Sequence, residues 1–208
     1  MKLKQFFKKL FNRKATLFFL IVVIVMIAAG LLAPVIAPHD PLEQNLVMKF
    51  SMPSREYPMG TDNLGRCIFS RILYATRTTL GFSILCTTLA AIVGITLGVT
   101  AGYKGGTLDM VIMRVCDVLY AFPALVLVMA IVGFIGVGIF NVVIAMLIQQ
   151  WLWYARVSRN LAAGESVKSY IAAARLCGAT DRKIIFKHIL PNIIPNMLAI
   201  FTVDFGHT

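Results

Sequence analysis

Three charged side chains fall inside long apolar runs or at their edges: Arg114, Asp117 and Asp204. An ionisable group at membrane depth is costly, faces a bundle interior or a cavity, and marks an ion or substrate path when it is not part of a structural pair. Arg114 and Asp117 stand three apart, so they can pair on one helix face, with Asp109 also within reach of Arg114. They read as a structural pair near the inner interface. Asp204 carries two readings. Either it lines a permeation path and holds a cationic group on a solute, or it lies near the outer interface or pairs with a further helix.

Motifs for chemistry carried out by this chain alone do not occur. No stretch matches G-x-x-x-x-G-K-[ST], HExxH or GxSxG, and no paired carboxylates are spaced for acid–base work. Tyr103-Lys104-Gly105-Gly106-Thr107 has the residue types of a phosphate loop in the wrong order and reads as a turn. His39, His188 and His207 are far apart, and the topology below sets His188 opposite the other two, which argues against one metal site built from all three. Cys67, Cys86, Cys116 and Cys177 fall in four different segments without CxxC spacing, which argues against a disulfide framework or a zinc site. Cys86 and Cys116 read as small apolar residues. The chain itself is expected to be non-catalytic, with no metal and no bound cofactor.

The elements that must position these residues are membrane helices. Of 208 residues 59% are hydrophobic and only 14% charged, with a mean hydropathy of +0.81. A soluble domain carries about 25% charged residues, so the expectation is an all-α polytopic membrane protein. The net charge of +11 follows from cations retained in cytoplasmic loops and does not call for nucleic acid.

Residues 1–15 carry Lys2, Lys4, Lys8, Lys9, Arg13 and Lys14 and no acid. Phe6, Phe7, Leu10 and Phe11 recur at helical spacing, as in a short helix lying on an anionic leaflet. Residues 16–36 are uncharged and long enough for a first span, retained because no small-x-small cleavage site follows. Residues 37–77 form a proline-rich loop of mixed charge, expected outside. The core, 78–208, is divided into spans at about 78–103, 110–133, 138–155 and 191–208, five crossings in all. Gly94 and Gly98, with Gly81 and Gly102 near the ends, let the second span pack closely within the bundle. Pro123 kinks the third. Trp151, Trp153 and Tyr154 close the fourth as an interfacial belt. With the N-terminus inside, four crossings return the basic loop 156–190 to the cytoplasmic side.

Within that loop, Tyr170, Ala173, Ala174 and Cys177 fall at i, i+3, i+4, i+7, a helix with a small face. Gly178 suits the left-handed position that ends it, and Thr180 or Asp181 caps a second helix. That helix sets Ile184, Ile185 and Ile189 against Arg182, Lys183 and Lys187. Physical chemistry leaves two uses open: contact with lipid headgroups, or seating in a groove of a cytosolic partner.

Tyr170-Ile171-Ala172-Ala173-Ala174-Arg175-x-x-Gly178, followed by His188-Ile189-Leu190-Pro191, resembles the "EAA" loop of ABC-importer membrane subunits. Gly60-Thr61-Asp62-Asn63-Leu64-Gly65-Arg66, continuing to Ser70-Arg71, is similar to the GTDxxGRDxxSR segment of C-type subunits in the dipeptide/oligopeptide/nickel permease family. The turn from Gly102 to Asp109 and the run from Arg114 to Pro123 resemble the same family. The resemblance implies docking of Tyr170, Ala172, Ala173, Ala174, Arg175, Gly178, Asp181, Leu190 and Pro191 on an ATP-binding subunit. It assigns Gly60, Thr61, Asp62, Gly65 and Arg66 to an external-loop motif. Expected partners are a second permease subunit in a heterodimer, two ATP-binding subunits that hold the ATP, an external solute-binding protein and the bilayer of a bacterial cytoplasmic membrane. Ala172 stands where the motif's Glu is usual, and Cys67 where an Asp is usual. Family members have six spans, so a further C-terminal helix is expected. Trp153-Tyr154-Ala155-Arg156 and Asp204-Phe205-Gly206-His207 look closer to the nickel and metal-chelate branch than to the peptide branch. The rival expectation is a secondary transporter or channel driven by an ion gradient, for which a docking helix pair has no use.

Overall fold

Long runs of apolar residues wind into helices here because a backbone in hydrocarbon must satisfy its own N–H and C=O groups. The computed structural model describes residues 14–206; the basic amphipathic stretch over residues 1–13, and His207, lie outside the described residues. Among the described residues, regular structure is helical apart from a single bridge between Thr61 and Cys67. The chain divides into two compact units, 1–82 and 83–208, with the boundary inside one long helix.

In the first unit, α1 (Lys14–Leu31) ends short of the expected span, and α2 (Ala33–Ile36) restarts after Leu32. Pro34 lies in the first turn of α2, where its missing N–H does no harm but where it cannot continue a preceding helix. The loop that follows includes one 3-10 turn, Leu46–Met48. It ends at Cys67, not at Arg77 as the charge pattern suggests, because α3 (Ile68–Lys104) has already begun. The stretch 68–77 contains no proline or glycine to stop a helix, and its arginines are tolerated on a helix surface. At Gly30 a side chain would come within 3.2 Å of the Arg77 backbone, so α1 crosses α3 there.

The second unit holds the rest of α3, then α4 (Gly106–Tyr120), α5 (Ala124–Ile135), α6 (Ile139–Ser166), α7 (Ser169–Leu176), α8 (Asp181–Ile184) and α9 (Leu190–Phe205). Gly105 and Gly106 both take positive φ in the turn between α3 and α4, as the Lys-Gly-Gly signature requires. The third predicted span, 110–133, is two helices, bent by 88° at Ala121–Pro123. Pro123 is the cause: its ring bars the α conformation before it, and the chain breaks where a kink was expected. The fourth, 138–155, runs on to Ser166, so Arg156 and Arg159 are helical and the basic loop begins at Val167. α8 passes without interruption through a π-helical stretch, Ile185–Ile189, into α9, giving one helix Asp181–Phe205. Pro191 occupies the first turn of α9, and Pro195 lies inside it.

Among the described residues, Ile68–Lys104 and Asp181–Phe205 are long and apolar enough to cross a bilayer, and α4 with α5 makes a third if the bent pair is one span. Close approach of α3 to α6 organises the second unit. A Cβ at Gly94 would collide with Trp151 and Tyr154, at Gly98 with Ser158 and the Ala155 carbonyl, and at Gly102 with Arg159. Small residues at one-turn intervals let the two backbones touch, which is how helices associate in lipid. Gly81, by contrast, faces open space. Around this seam a core forms from Ala90, Val99, Tyr103, Tyr154, Ile171, Ile184, Ile189, Ile193 and Met197.

Candidate coupling and permeation sites

The loop between α6 and α9 folds as two short helices around Gly178, whose φ of 77° is the left-handed conformation that glycine alone adopts without strain. Thr180, not Asp181, supplies the cap: its hydroxyl accepts from the Lys183 amide at 3.4 Å. Ile171, Ile184, Ile185 and Ile189 are buried, while Arg182, Lys183 and Lys187 are exposed. Ala174 packs half-buried on the core, whereas Tyr170, Ala172, Ala173, Arg175 and Cys177 face outward. The small face read from Tyr170, Ala173, Ala174 and Cys177 is thus largely the open one. Leu176 at 90% and Phe186 at 69% exposure stand clear of the fold amid the basic side chains. Leu190 packs against the core and Pro191 is exposed.

Two polar clusters brace this loop. Tyr103, at the end of α3, donates its hydroxyl to Asp181 Oδ1 at 2.8 Å, and the Arg175 guanidinium lies over the Tyr103 ring at 5.1 Å. On the other flank Tyr170 donates to Glu165, and Asn192 Nδ2 donates to the Tyr170 hydroxyl at 2.9 Å. The predicted docking residues Arg175 and Asp181 are therefore brought together at the end of the longest helix. Tyr103 was missed as a partner because nothing in a tyrosine beside Lys-Gly-Gly names an acceptor 78 residues on.

α4 is clamped to the C-terminal half of α6 by two ion pairs, Asp117–Arg156 at 2.6 Å and Asp109–Arg159. This corrects the expected pairing of Asp117 and Asp109 with Arg114. The cations come from the next helix, and Arg156 also lies over the Tyr120 ring at 4.4 Å.

Asp204 lies near the far end of α9, fourteen residues or roughly 21 Å of helix from Leu190. Its Oδ2 accepts from the Tyr154 hydroxyl at 2.8 Å and from Gln150 Nε2 at 3.1 Å, and Gln150 also reaches Thr87 at 3.4 Å. Tyr154 has no exposed surface, so it does not belong to the interfacial belt expected from Trp151-x-Trp153-Tyr154. A buried phenol needs a partner for its hydroxyl, and Asp204 is that partner. Trp153, one residue earlier, is half exposed.

In the first unit, the Gly60–Arg66 motif closes a loop on Asp62. Its carboxylate accepts from the amides of Leu64 at 2.9 Å and Arg66 at 3.0 Å and pairs with the guanidinium groups of Arg66 and Arg71. Burial would raise the Asp62 carboxyl, but these donors outweigh it and hold the pKa at about 2. Thr61 donates to the Met48 carbonyl and accepts from the Ser51 amide at 2.8 Å. Gly65, at φ 71°, leaves room for the Asn45 carbonyl where a side chain would collide. Cys67 is buried beside Thr61, an apolar seat in this loop.

Residues 94–208 match the family described as "Binding-protein-dependent transport system inner membrane component", and residues 2–53 match "N-terminal TM domain of oligopeptide transport permease C". The chain is 38% identical over 170 residues to the nickel transport system permease protein NikC of Escherichia coli K12, covering 82% of this chain and 61% of that protein. It is 42% identical over 154 residues to the glutathione transport system permease protein GsiD of Pectobacterium atrosepticum, covering 74% and 51%. It is 35% identical over 203 residues to the dipeptide transport system permease protein DppC of Alkalihalophilus pseudofirmus, covering 98% and 67%. The chain thus spans between half and two thirds of the length of these relatives.

Proposed function

Because the chain belongs to the family of binding-protein-dependent transport system inner membrane components, we propose that it is a membrane-spanning permease subunit of an ATP-driven importer. It does no chemistry itself; ATP is bound and hydrolysed on separate subunits. The observation that carries this reading is the face formed by α7 and α8. Buried isoleucines fasten the helix pair to the bundle, while Leu176, Phe186 and the cations beside them stay open. Apolar knobs ringed by cations suit a groove on a soluble partner, and the Tyr103–Asp181 contact ties the pair to α3. Lipid contact would not require the knobs to stand on a rigid helix–turn–helix.

On this reading the bundle crosses the membrane five times in this sequence with the N-terminus cytoplasmic, and α7–α8 faces the ATP-binding subunits. A second permease subunit completes the path. A solute-binding protein delivers nickel, a metal chelate, or a di- or oligopeptide to the opposite side of the membrane. Reconstitution of the full-length protein with its partners in proteoliposomes tests the assignment. Solute uptake is expected to require ATP on the α7–α8 side, and ATP-binding subunits are expected to co-purify. Uptake that persists without ATP and follows an imposed ion gradient would instead identify a secondary transporter.

A further inference from the structure

A cleft of about 520 Å³ opens beside α6, with Tyr120, Val142, Met146, Gln150, Trp153 and Asp204 in its wall. A second hollow of about 460 Å³ lies against α9. Asp204 and Trp153 line both. Each hollow has the size of a site for a small organic solute, and the carboxylate and indole are common to both.

The chemistry of the wall narrows what such a place would hold. The Tyr154 and Gln150 donors fix the orientation of the Asp204 carboxylate. A carboxylate accepts about four hydrogen bonds, and those from Tyr154 and Gln150 are two of them. Arg156, two positions beyond Tyr154, is turned toward Asp117 and the Tyr120 ring. Among the described residues the cleft wall supplies one carboxylate, with amide and phenol oxygens, and no imidazole or thiolate. A first-row dication prefers several nitrogen or sulfur donors. An alkylammonium needs an anionic acceptor and gains from an aromatic face.

We propose that Asp204 and Trp153 form a transit site for a solute bearing a protonated amine, with the ammonium against the carboxylate and the indole beside it. This rests on the permease reading and names the solute class for it. Gln150 and Tyr154 act as positioning residues through the carboxylate.

The test uses the full-length importer, assembled with its partners in cells, and three probes: a free-amine dipeptide, its N-acetylated form, and Ni²⁺ alone. Asp204→Asn is expected to lower free-amine uptake about tenfold, the worth of one charge-assisted hydrogen bond, with recovery in Asp204→Glu. Trp153→Leu is expected to raise the KM for the free-amine probe and to leave the acetylated probe unchanged. It decides the matter if Asp204→Asn lowers the amount of protein in the membrane. Undiminished free-amine uptake in Asp204→Asn, or equal effects of Trp153→Leu on both peptides, would overturn the proposal. So would a wild type that carries Ni²⁺ and not the dipeptide. ATP-independent uptake by the wild type would instead overturn the permease reading beneath it.

Discussion

The Tyr103 hydroxyl and the Asp181 carboxylate meet at 2.8 Å, joining the last turn of α3 to the first turn of α8. The Arg175 guanidinium covers the same ring, so one tyrosine holds both helices of the loop to the end of the longest span.

Tyr103→Phe keeps the ring and removes that hydrogen bond. A hydrogen bond to a charged group contributes about 1.5–3 kcal/mol, less where water competes, so the loop is loosened without being unfolded. The expected outcome is a several-fold fall in solute transported per ATP hydrolysed, with ATP-binding subunits still co-purifying. Unchanged stoichiometry would show that this contact transmits nothing.

Gly178 separates the turn from the surface it presents. No neighbour lies within 4 Å of where its Cβ would be, so Gly178→Ala costs only the left-handed backbone, about 1–2 kcal/mol. Gly178→Glu carries the same backbone cost and adds a charged side chain to the exposed face. Transport is expected to survive the alanine change in large part and to be abolished by the glutamate, with membrane insertion intact in both. Equal effects would make the turn, not the docking face, responsible.

Gly98→Val tests the seam between α3 and α6. Its Cβ would overlap Ser158 and the Ala155 carbonyl, and backbone cannot swing aside as a side chain does. Overpacking costs about 1–3 kcal/mol where neighbours yield and more where they do not. The variant is expected to lower the unfolding temperature in detergent by several degrees, whereas Gly81→Val, facing open space, is expected to leave it unchanged.

The Asp62 loop carries a pH dependence whose sign follows from its depressed pKa of about 2, against 3.8 when unfolded. A lowered pKa means the stabilisation is complete above the unfolded value and is lost as pH falls through the folded one. The loop is therefore expected to resist proteolysis down to about pH 4 and to loosen between there and about pH 2. Asp62→Asn is expected to be protease-sensitive already at neutral pH. A loop that loosens near pH 6 would point to a different group.

Much of this arrangement was legible in the sequence. The helical class followed from composition, the Lys-Gly-Gly turn and Gly178 from backbone preference, and the shared face of Ile184, Ile185 and Ile189 from spacing. Helix ends were not. Arg71 and Arg77 look like loop residues, yet a helix tolerates them, so α3 begins ten residues before the uncharged run it contains. Ion pairs were misassigned for a related reason: proximity in sequence favours Arg114 for Asp117, but the bend at Pro123 lays α4 along α6, and Arg156 arrives first. Tyr154 shares its apolar-aromatic surroundings with the two tryptophans, and only the fold reveals that its hydroxyl belongs to Asp204.

The π-helical stretch Ile185–Ile189 gives the chain a tolerance that the other helices among the described residues lack. A π turn carries one residue more than an α turn, an insertion already accommodated in the winding. Removing a single residue there would return the segment to α geometry and leave Ile184 and Ile193 facing the same core. The same deletion in the middle of α3 would rotate everything beyond it by about 100° and take Gly98 off its seam. Within the helices, a one-residue deletion is thus cheapest at the point where the exposed face hands over to the membrane helix.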